Sequence, residues 1–265
     1  MWRLNLVVAL VLSAMSCDNP TAQQSVPANR PASPSNSPDE LRRQADKGDA
    51  GAMYNLGVMY ANGRGVPKGE KQAVEWYRKA ADLGDADAMS NLEVRYAKGR
   101  GVPKDEKQAV EWYRKAADLG DADAMSNLGV MYENGSGVPK DEKQAVEWWR
   151  KAAELGDADA MSNLGVMYAN GSGVPKDEKQ AVEWYRKAAE LGFAYAMSTL
   201  GRMYANGRGV AKDDLLAYMW MNLSGAHGYV TGRKNGDLLK KGMSGTQIEE
   251  AQRLYREWMD KRLKK

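Results

Sequence analysis

Only two side chains in the sequence are of the types that most often carry enzyme chemistry. His227 is the only imidazole and Cys17 is the only thiol. A serine or cysteine triad would need His227 as its base, yet this residue lies in a glycine-interrupted stretch without a second histidine. A zinc site of the Cys/His type needs three or four ligands, and a disulfide needs two cysteines. We therefore predict no catalytic residue and no metal site.

Three other chemical signatures are also absent or weak. Gly63-Arg64-Gly65 and its copies superficially resemble a phosphate-binding loop, but the dinucleotide fingerprint needs a preceding strand and a third glycine. The Ser-x-x-Lys and Lys-Thr-Gly motifs of penicillin-interacting enzymes do not occur. Carboxylates recur as helix caps and surface pairs, so no pair is singled out as an acid/base couple. We therefore predict no cofactor and a protein that is not an enzyme.

The composition also restricts the class of partner. The chain has 265 residues, with 38 Lys and Arg against 35 Asp and Glu, a net charge of +3. This small excess does not favour binding to a polyanion, so no nucleic-acid partner is expected.

The N-terminus has the pattern of an export signal over residues 1–16. Arg3 precedes an apolar run from Leu4 to Leu12, which is too short to span a bilayer. Small residues lead up to Cys17, and this position resembles the lipobox of bacterial lipoproteins, although Ala14 stands where leucine is usual. We expect a lipid on Cys17, with an ordinary soluble periplasmic or secreted protein as the alternative. Asp18 weakly favours the inner membrane, by resemblance to a retention signal.

Residues 17–40 are predicted to form a disordered tether. They consist mostly of Pro, Ser, Asn, Gln and Ala and offer almost no bulky apolar side chain. A coil of this length would reach roughly 25 Å. The expected location is therefore the cell envelope, with the folded part held off a membrane and facing the periplasm.

A period of 36 residues organises the rest of the chain. Tryptophan recurs at this step, at Trp76, Trp112, Trp148, Trp184 and Trp220. Residues 121–156 and 157–192 differ at two positions only. Such a period predicts a solenoid of stacked units. We place five units within residues 41–226, at about 49–84, 85–120, 121–156, 157–192 and 193–226, with a C-terminal cap region at 227–265.

Each unit reads as two helices joined by a turn. In residues 121–156, Asp121 is a natural N-cap, and apolar residues then recur at three- and four-residue spacing. Asn134-Gly135 ends the first helix, since both residues tolerate the left-handed conformation. Asp141 and Gln144 form a capping-box-like start to the second helix. The predicted fold is all-α, and neighbouring units must bury each other's apolar stripes.

These motifs resemble the Sel-1-like repeat, a relative of the tetratricopeptide repeats with a longer turn. The pattern reads Asn127-Leu128-Gly129-x-x-Tyr132-x-x-Gly135-x-Gly137-Val138-Pro139-x-Asp141, followed by Ala145, Trp148, Ala152-Ala153 and Gly156. The resemblance implies a right-handed α-solenoid whose first helices line a concave surface. It also implies an adaptor that holds other proteins together, often after export from a bacterium.

The same resemblance suggests where a protein or peptide partner would bind. If tetratricopeptide-like geometry applies, the position two before each repeated Leu faces the groove, and the Asn before that Leu could bond to a ligand backbone, although helix-to-helix bonding explains it equally well. Three departures from the repeat would add specificity. The expected partner-binding residues are Tyr54, Ser90, Asn91, Arg95, Ser126, Asn127, Glu133, Ser162, Asn163, Ser198 and Arg202, and Asn55 occupies the matching position in the first unit.

Departures from the repeat mark two further regions. In the second unit Glu93 and Arg95 replace a small and an apolar residue, which indicates either a loosened unit or a charged pair turned towards a partner. After residue 226 the period fails, and Gly228, Gly232 and Gly236 predict a frayed or kinked element. Thr246 and Glu249 then suggest a capping box that opens an amphipathic helix over the end of the stack.

Two other functions remain open at this point. One is a β-lactam-binding or cell-wall hydrolase of the cysteine-rich branch of the family, which the lack of cysteine pairs and nucleophile motifs disfavours. The other is a structural spacer without a dedicated ligand. The favoured hypothesis is a non-catalytic scaffold of the bacterial cell envelope that binds a partner on its concave face.

Overall fold

The computed structural model describes residues 37–263, with side chains described for residues 37–260. Cys17, the signal segment and most of the predicted tether lie outside this range, as do the side chains of Lys261, Arg262, Lys264 and Lys265. Within the described part of the chain every regular element is an α-helix. The helices are α1 (Pro38–Ala45), α2 (Ala50–Asn62), α3 (Glu70–Asp82), α4 (Ala86–Lys98), α5 (Glu106–Asp118), α6 (Ala122–Asn134), α7 (Glu142–Glu154), α8 (Ala158–Asn170), α9 (Glu178–Glu190), α10 (Ala194–Asn206), α11 (Asp214–Ala226), α12 (Val230–Lys240) and α13 (Gly245–Leu263).

The helices from α2 to α11 form five consecutive pairs, which we call repeats 1 to 5. The first helix of each pair packs on the second helix of its own repeat and on the second helix of the repeat before it. One apolar core runs through all five pairs, and α1 packs on α2 at one end. The predicted α-solenoid with a 36-residue period is confirmed.

Caps fix the ends of the repeat helices. The Asp121 carboxylate accepts the Ala124 N–H at 2.9 Å, and Gly135 follows Asn134 in the left-handed conformation with φ of +72°. In the second helix, Asp141 accepts the N–H of Gln144 at 3.1 Å. The Gln144 side chain donates to Glu147 rather than back to the cap, so only half of the expected capping box forms.

A second glycine in the turn allows one repeat to approach the next. Gly137 has φ of +72°, and a Cβ atom there would lie 2.2 Å from the backbone oxygen of Glu106 in the preceding repeat. Since no side chain fits at this distance, the turn can rest directly on the start of α5. The same contact recurs at the other repeat junctions, at Gly101, Gly173 and Gly209.

Hydrogen bonds between side chains also join successive repeats. In repeats 1 to 4 an arginine of the second helix donates to a tyrosine hydroxyl 18 residues later, on the first helix of the next repeat. The distances are 2.7 Å for Arg114–Tyr132 and 2.8 Å for Arg150–Tyr168. Arg78–Tyr96, Arg186–Tyr204 and, from α1, Arg42–Tyr60 form the same bond.

The region after repeat 5 differs from its prediction. Instead of a frayed element, α12 is a continuous helix of 11 residues in which Gly232 and Gly236 are buried. Packing explains this result, because Gly232 lies against Ser224 of α11, where a Cβ atom would be 2.2 Å from the hydroxyl oxygen. The glycines are therefore the contact surface of the helix.

Helix α13 covers the end of the stack, as expected. Ala251 is buried, and Trp258 packs edge-on against Trp220 with ring centroids 5.6 Å apart. The cap differs from the predicted one, since Ser244 accepts the Gln247 N–H and the Gln247 side chain accepts the Ser244 N–H. The capping box therefore lies two residues before the Thr246–Glu249 pair.

Two glycine substitutions in α12 separate packing from helix propensity. Gly232→Ala should destabilise the fold by about 1–3 kcal/mol, because its methyl group overlaps Ser224. Gly236→Ala should stabilise it by up to about 1 kcal/mol, since its Cβ would meet only ordinary contacts near 3.5 Å. Urea unfolding followed by circular dichroism measures both. Equal effects of the two substitutions would contradict the packing explanation.

Candidate partner-binding surface

The residues expected to face a groove are instead buried. Ser90, Ser126, Ser162 and Ser198 are between 2% and 8% exposed, and Tyr54 is 1% exposed. The Ser90 hydroxyl lies 3.1 Å from a carboxylate oxygen of Asp121, the N-cap of the next first helix. The expectation that this row faces the solvent is therefore corrected, because these side chains fill the junctions between repeats.

The asparagines of the next position reach the solvent in part. Asn55, Asn91 and Asn127 are half-buried, whereas Asn163 is 9% exposed. The Asn91 amide donates to the Asp87 carbonyl oxygen of its own helix at 2.8 Å. One step of 100° along the helix therefore separates the buried serine row from a partly accessible row.

A stripe of accessible positions runs along the first helices. In repeat 3 it consists of Asp123, Asn127, Val130 and Asn134, which follow each other at spacings of four, three and four residues and are exposed or half-buried. Residues at this spacing share one face of a helix. We call this face the accessible stripe. In the other repeats its first and fourth positions are also exposed or half-buried, whereas of its middle positions Val58, Asn163 and Thr199 are buried.

The three charged departures take different positions relative to this stripe. Arg95 is buried, bonds to the Glu70 carboxylate and lies over the Tyr77 ring, 5.7 Å from its centroid. The expectation that it turns towards a partner is corrected, because its charge is neutralised inside the protein. Glu133 is half-buried near Lys140 and lies beside the stripe. Arg202 takes the stripe position of Val130 in repeat 5 and is half-buried.

Carboxylates are concentrated where the first helices of repeats 3 and 4 begin. We call this set the acidic row, which consists of Asp121, Asp123, Asp157 and Asp159. Partial burial raises the pKa of Asp159 to about 6, and the charges of Asp157 and Asp123 add to the rise. Burial and then Asp121 and Asp157 also raise the pKa of Asp123. Carboxylates of adjacent repeats therefore repel one another across the junction.

Aromatic residues continue this row in repeat 5. Phe193 and Tyr195 stand at the positions of Asp157 and Asp159, and Tyr229 follows 36 residues after Phe193. The rings meet edge to face, with centroids 6.5 Å apart for Phe193–Tyr195 and 6.0 Å apart for Tyr195–Tyr229. Phe193 forms no side-chain cap for α10, a loss of about 1 kcal/mol relative to aspartate. We call these three residues the aromatic cluster.

Glu93 is a buried carboxylate at the side of the acidic row. It is 3% exposed, and its Oε2 atom has no hydrogen-bond partner. Burial raises its pKa well above the ordinary value, and the charges of Asp121 and Asp123 raise it further. The matching residue of repeat 3 is Gly129, against which the Trp149 ring packs. The sequence singled out Glu93 as a departure and left two readings open; its burial does not fit the reading in which it turns towards a partner.

The described residues contain no group of three His, Cys, Asp or Glu side chains arranged to hold a metal ion. His227 is exposed, and its Nδ1 atom lies 2.9 Å from the Leu223 carbonyl oxygen at the end of α11. Between residues 37 and 263, no helix has the length and apolar character needed to cross a membrane. The chemistry available on the accessible stripe is hydrogen bonding, charge and ring stacking.

The repulsion within the acidic row predicts a pH-dependent stability. Because the folded-state pKa of Asp159 exceeds that of an unfolded aspartate, the folded protein retains a proton that the unfolded chain releases between about pH 4 and 6. Stability from this group is therefore lost as the pH rises through that window. Asp159→Asn should stabilise the fold by about 1 kcal/mol at pH 7 and by much less at pH 4.

Urea unfolding at the two pH values measures this difference, with Glu147→Gln on the exposed face of α7 as the control. A gain that is the same at pH 4 and pH 7 would contradict the electrostatic explanation.

Comparison with known proteins identifies the repeat. Five Sel1 repeats match residues 50–85, 86–121, 122–157, 158–193 and 194–229. The protective antigen c5321 of uropathogenic Escherichia coli, described as having an SLR fold, is 36% identical with a TM-score of 0.74. That similarity covers 85% of this chain but 48% of the antigen, so the chain spans about half the length of that relative.

A Sel1 repeat protein from Oxalobacter formigenes is 33% identical with a TM-score of 0.70, and the similarity covers 85% of this chain and 90% of that one. No curated protein matches the sequence. Five consecutive family repeats, stacked as helix pairs with one core, lead to one conclusion: the chain belongs to the Sel1 repeat family, whose members are in general scaffolds for interactions between proteins.

Proposed function

We propose that this protein is a non-catalytic adaptor of the bacterial cell envelope, which binds a segment of another protein along its first helices. The observation that carries the proposal is the accessible stripe, whose first and fourth positions are exposed or half-buried in all five repeats of a stack with one continuous core. A rigid row of equivalent helix faces offers an extended surface to a chain laid across it.

The composition of the stripe supports a protein ligand. A half-buried asparagine stands at the second position of the stripe in repeats 1 to 3, and the third position changes from a half-buried valine in repeats 2 to 4 to the half-buried Arg202 in repeat 5. Amide groups can bond to a ligand backbone, whereas a position that varies along the row can select side chains. Glu133 adds a second departure beside the stripe of repeat 3.

Photo-crosslinking tests this placement. We expect benzoylphenylalanine at Val130, on the accessible stripe, to give a discrete crosslinked product in the native envelope. The same residue at Glu147, exposed on the second helix of repeat 3, should give none, because that face lies away from the stripe. Equal products from both positions, or products from Glu147 alone, would refute the placement of the binding surface.

Membrane attachment is the second part of the proposal. The lipobox-like segment supports a lipid on Cys17, and helix α1 begins at Pro38, so about 20 residues would separate the lipid from the folded repeats. This spacing would hold the adaptor close to the membrane and facing the periplasm.

Fractionation of cells tests the attachment. The protein should sediment with membranes. Cys17→Ser should move it to the soluble periplasmic fraction, because the variant lacks the lipid that would anchor the tether. Ala14→Leu serves as the control, since it brings the segment closer to the lipobox pattern and should keep the protein at the membrane. An identical distribution of Cys17→Ser and the parent would exclude a lipid anchor at this residue.

A further inference from the structure

The residues at the starts of the first helices change from acidic to aromatic along the stack. In repeats 2, 3 and 4 the second residue of the first helix is Asp87, Asp123 and Asp159, and in repeat 5 it is Tyr195. Asp159 is within electrostatic reach of Asp123 one repeat away. The carboxylates therefore form one negative region rather than isolated charges, and this region ends at the aromatic cluster.

Several positive side chains of the described residues contact groups outside the acidic row. Lysines of the second helices lie over tryptophan rings of the same helix, such as Lys115 over Trp112, at 3.9 Å from the centroid. Other lysines pair with glutamates at the starts of second helices, such as Lys140 with Glu142 at 3.0 Å. Within the described range, Asp123 and Asp159 form no ion pair. Asp123 and Asp159 can therefore pair with a positive group supplied by a ligand.

Glu93 is an independent observation that favours ligand binding at the acidic row. Its side chain is buried within electrostatic reach of Asp121, Asp123 and Tyr113, and the Oε2 atom has no hydrogen-bond partner. Glycine occupies this position in repeats 1, 3, 4 and 5. A buried carboxylate oxygen without a donor loses hydrogen-bond energy, and an N–H group of a bound cation would restore that bond.

The aromatic cluster fits the same ligand chemistry. A guanidinium group stacks on the face of a tyrosine ring and donates to carboxylates in the same plane, which an ammonium group does less well. A bare metal ion fits poorly, because the described carboxylates do not converge as a group of three.

We propose that the acidic row, Glu93 and the aromatic cluster bind an arginine-bearing segment of the partner protein, with its guanidinium groups against Asp123 and Asp159 and its end against Tyr195. This inference rests on the proposed adaptor function and names the chemistry of its partner. It places the specific part of the surface in repeats 2 to 5, at the starts of the first helices.

Peptide binding to the full chain tests the proposal. The probe is a fluorescein-labelled peptide of alternating arginine and glycine, and its control is the same peptide with citrulline, which keeps the shape of arginine without its charge. Fluorescence anisotropy at about 50 mM salt, where screening is weak, should show binding of the arginine peptide at least about tenfold tighter than that of the citrulline peptide.

Two matched double variants distinguish the effect of losing the site from the effect of losing net charge. Asp123→Asn with Asp159→Asn should weaken binding about tenfold, whereas Glu111→Gln with Glu147→Gln, on exposed faces of second helices, should weaken it no more than about twofold. Both double variants lose the same charge. Equal losses in the two, or equal binding of the citrulline peptide, would overturn the proposal.

Proton release provides a readout specific to Glu93. Burial and the charges of Asp121 and Asp123 raise the pKa of its carboxyl, and a bound guanidinium, which favours the carboxylate, should lower that pKa and release a proton. Calorimetry near pH 7 in buffers of different ionisation enthalpy should detect this release for the parent and less of it for Glu93→Gln. Identical proton release in the two would remove Glu93 from the site, and circular dichroism confirms that the variant is folded.

The proposed adaptor function and this inference can fail separately. A crosslink at Val130 to a partner segment without arginine would refute the inference and leave the adaptor function standing. Selective arginine-peptide binding without any crosslink at Val130 would refute the placement of the adaptor surface and leave the chemistry of the acidic row standing.

Discussion

The close approach of each turn to the preceding repeat is the constraint on which the rest of the structure depends. At Gly137 the backbone lies so near the Glu106 carbonyl oxygen that no side chain fits, and the positive φ independently favours glycine. This contact sets the distance between repeats. The bond from Arg114 to the Tyr132 hydroxyl and the burial of the serine row both require that distance. Replacing the glycine would therefore disturb every interaction across the junction.

Local rules were sufficient to predict the repeat but not the face that each residue occupies. The 36-residue period, the aspartate caps and the terminating glycines determine where helices start and end. Because the units are nearly identical, the same helix boundaries recur in each of them. The side of a helix that neighbours bury depends on the rotation between repeats, which the sequence does not express. The sequence therefore predicts Ser126 on the accessible face, whereas the structure buries Ser126 and leaves Asn127, one residue later, half-buried.

Long-range partners account for the other differences. Arg95 looks like an outward charge until Glu70, 25 residues earlier, is brought to it by the stacking of repeats. The glycines of α12 predict a broken helix by propensity, yet Ser224 of α11 makes one of them the tightest-fitting residue at that contact. Glu93 was recognisable as a departure, whereas its missing hydrogen bond and its acidic neighbours could be seen only in three dimensions.

The junctions before and after repeat 3 are built from equivalent residues. Gly137 on Glu106 corresponds to Gly173 on Glu142, and the Arg–Tyr bond recurs at both. Duplication of a whole unit in the gene would therefore create a junction that already exists in the protein, at little cost in foldability. Gain or loss of whole repeats during evolution would then change the length of the solenoid. Each added repeat would extend the acidic row by one pair of carboxylates, and the aromatic cluster would still end it.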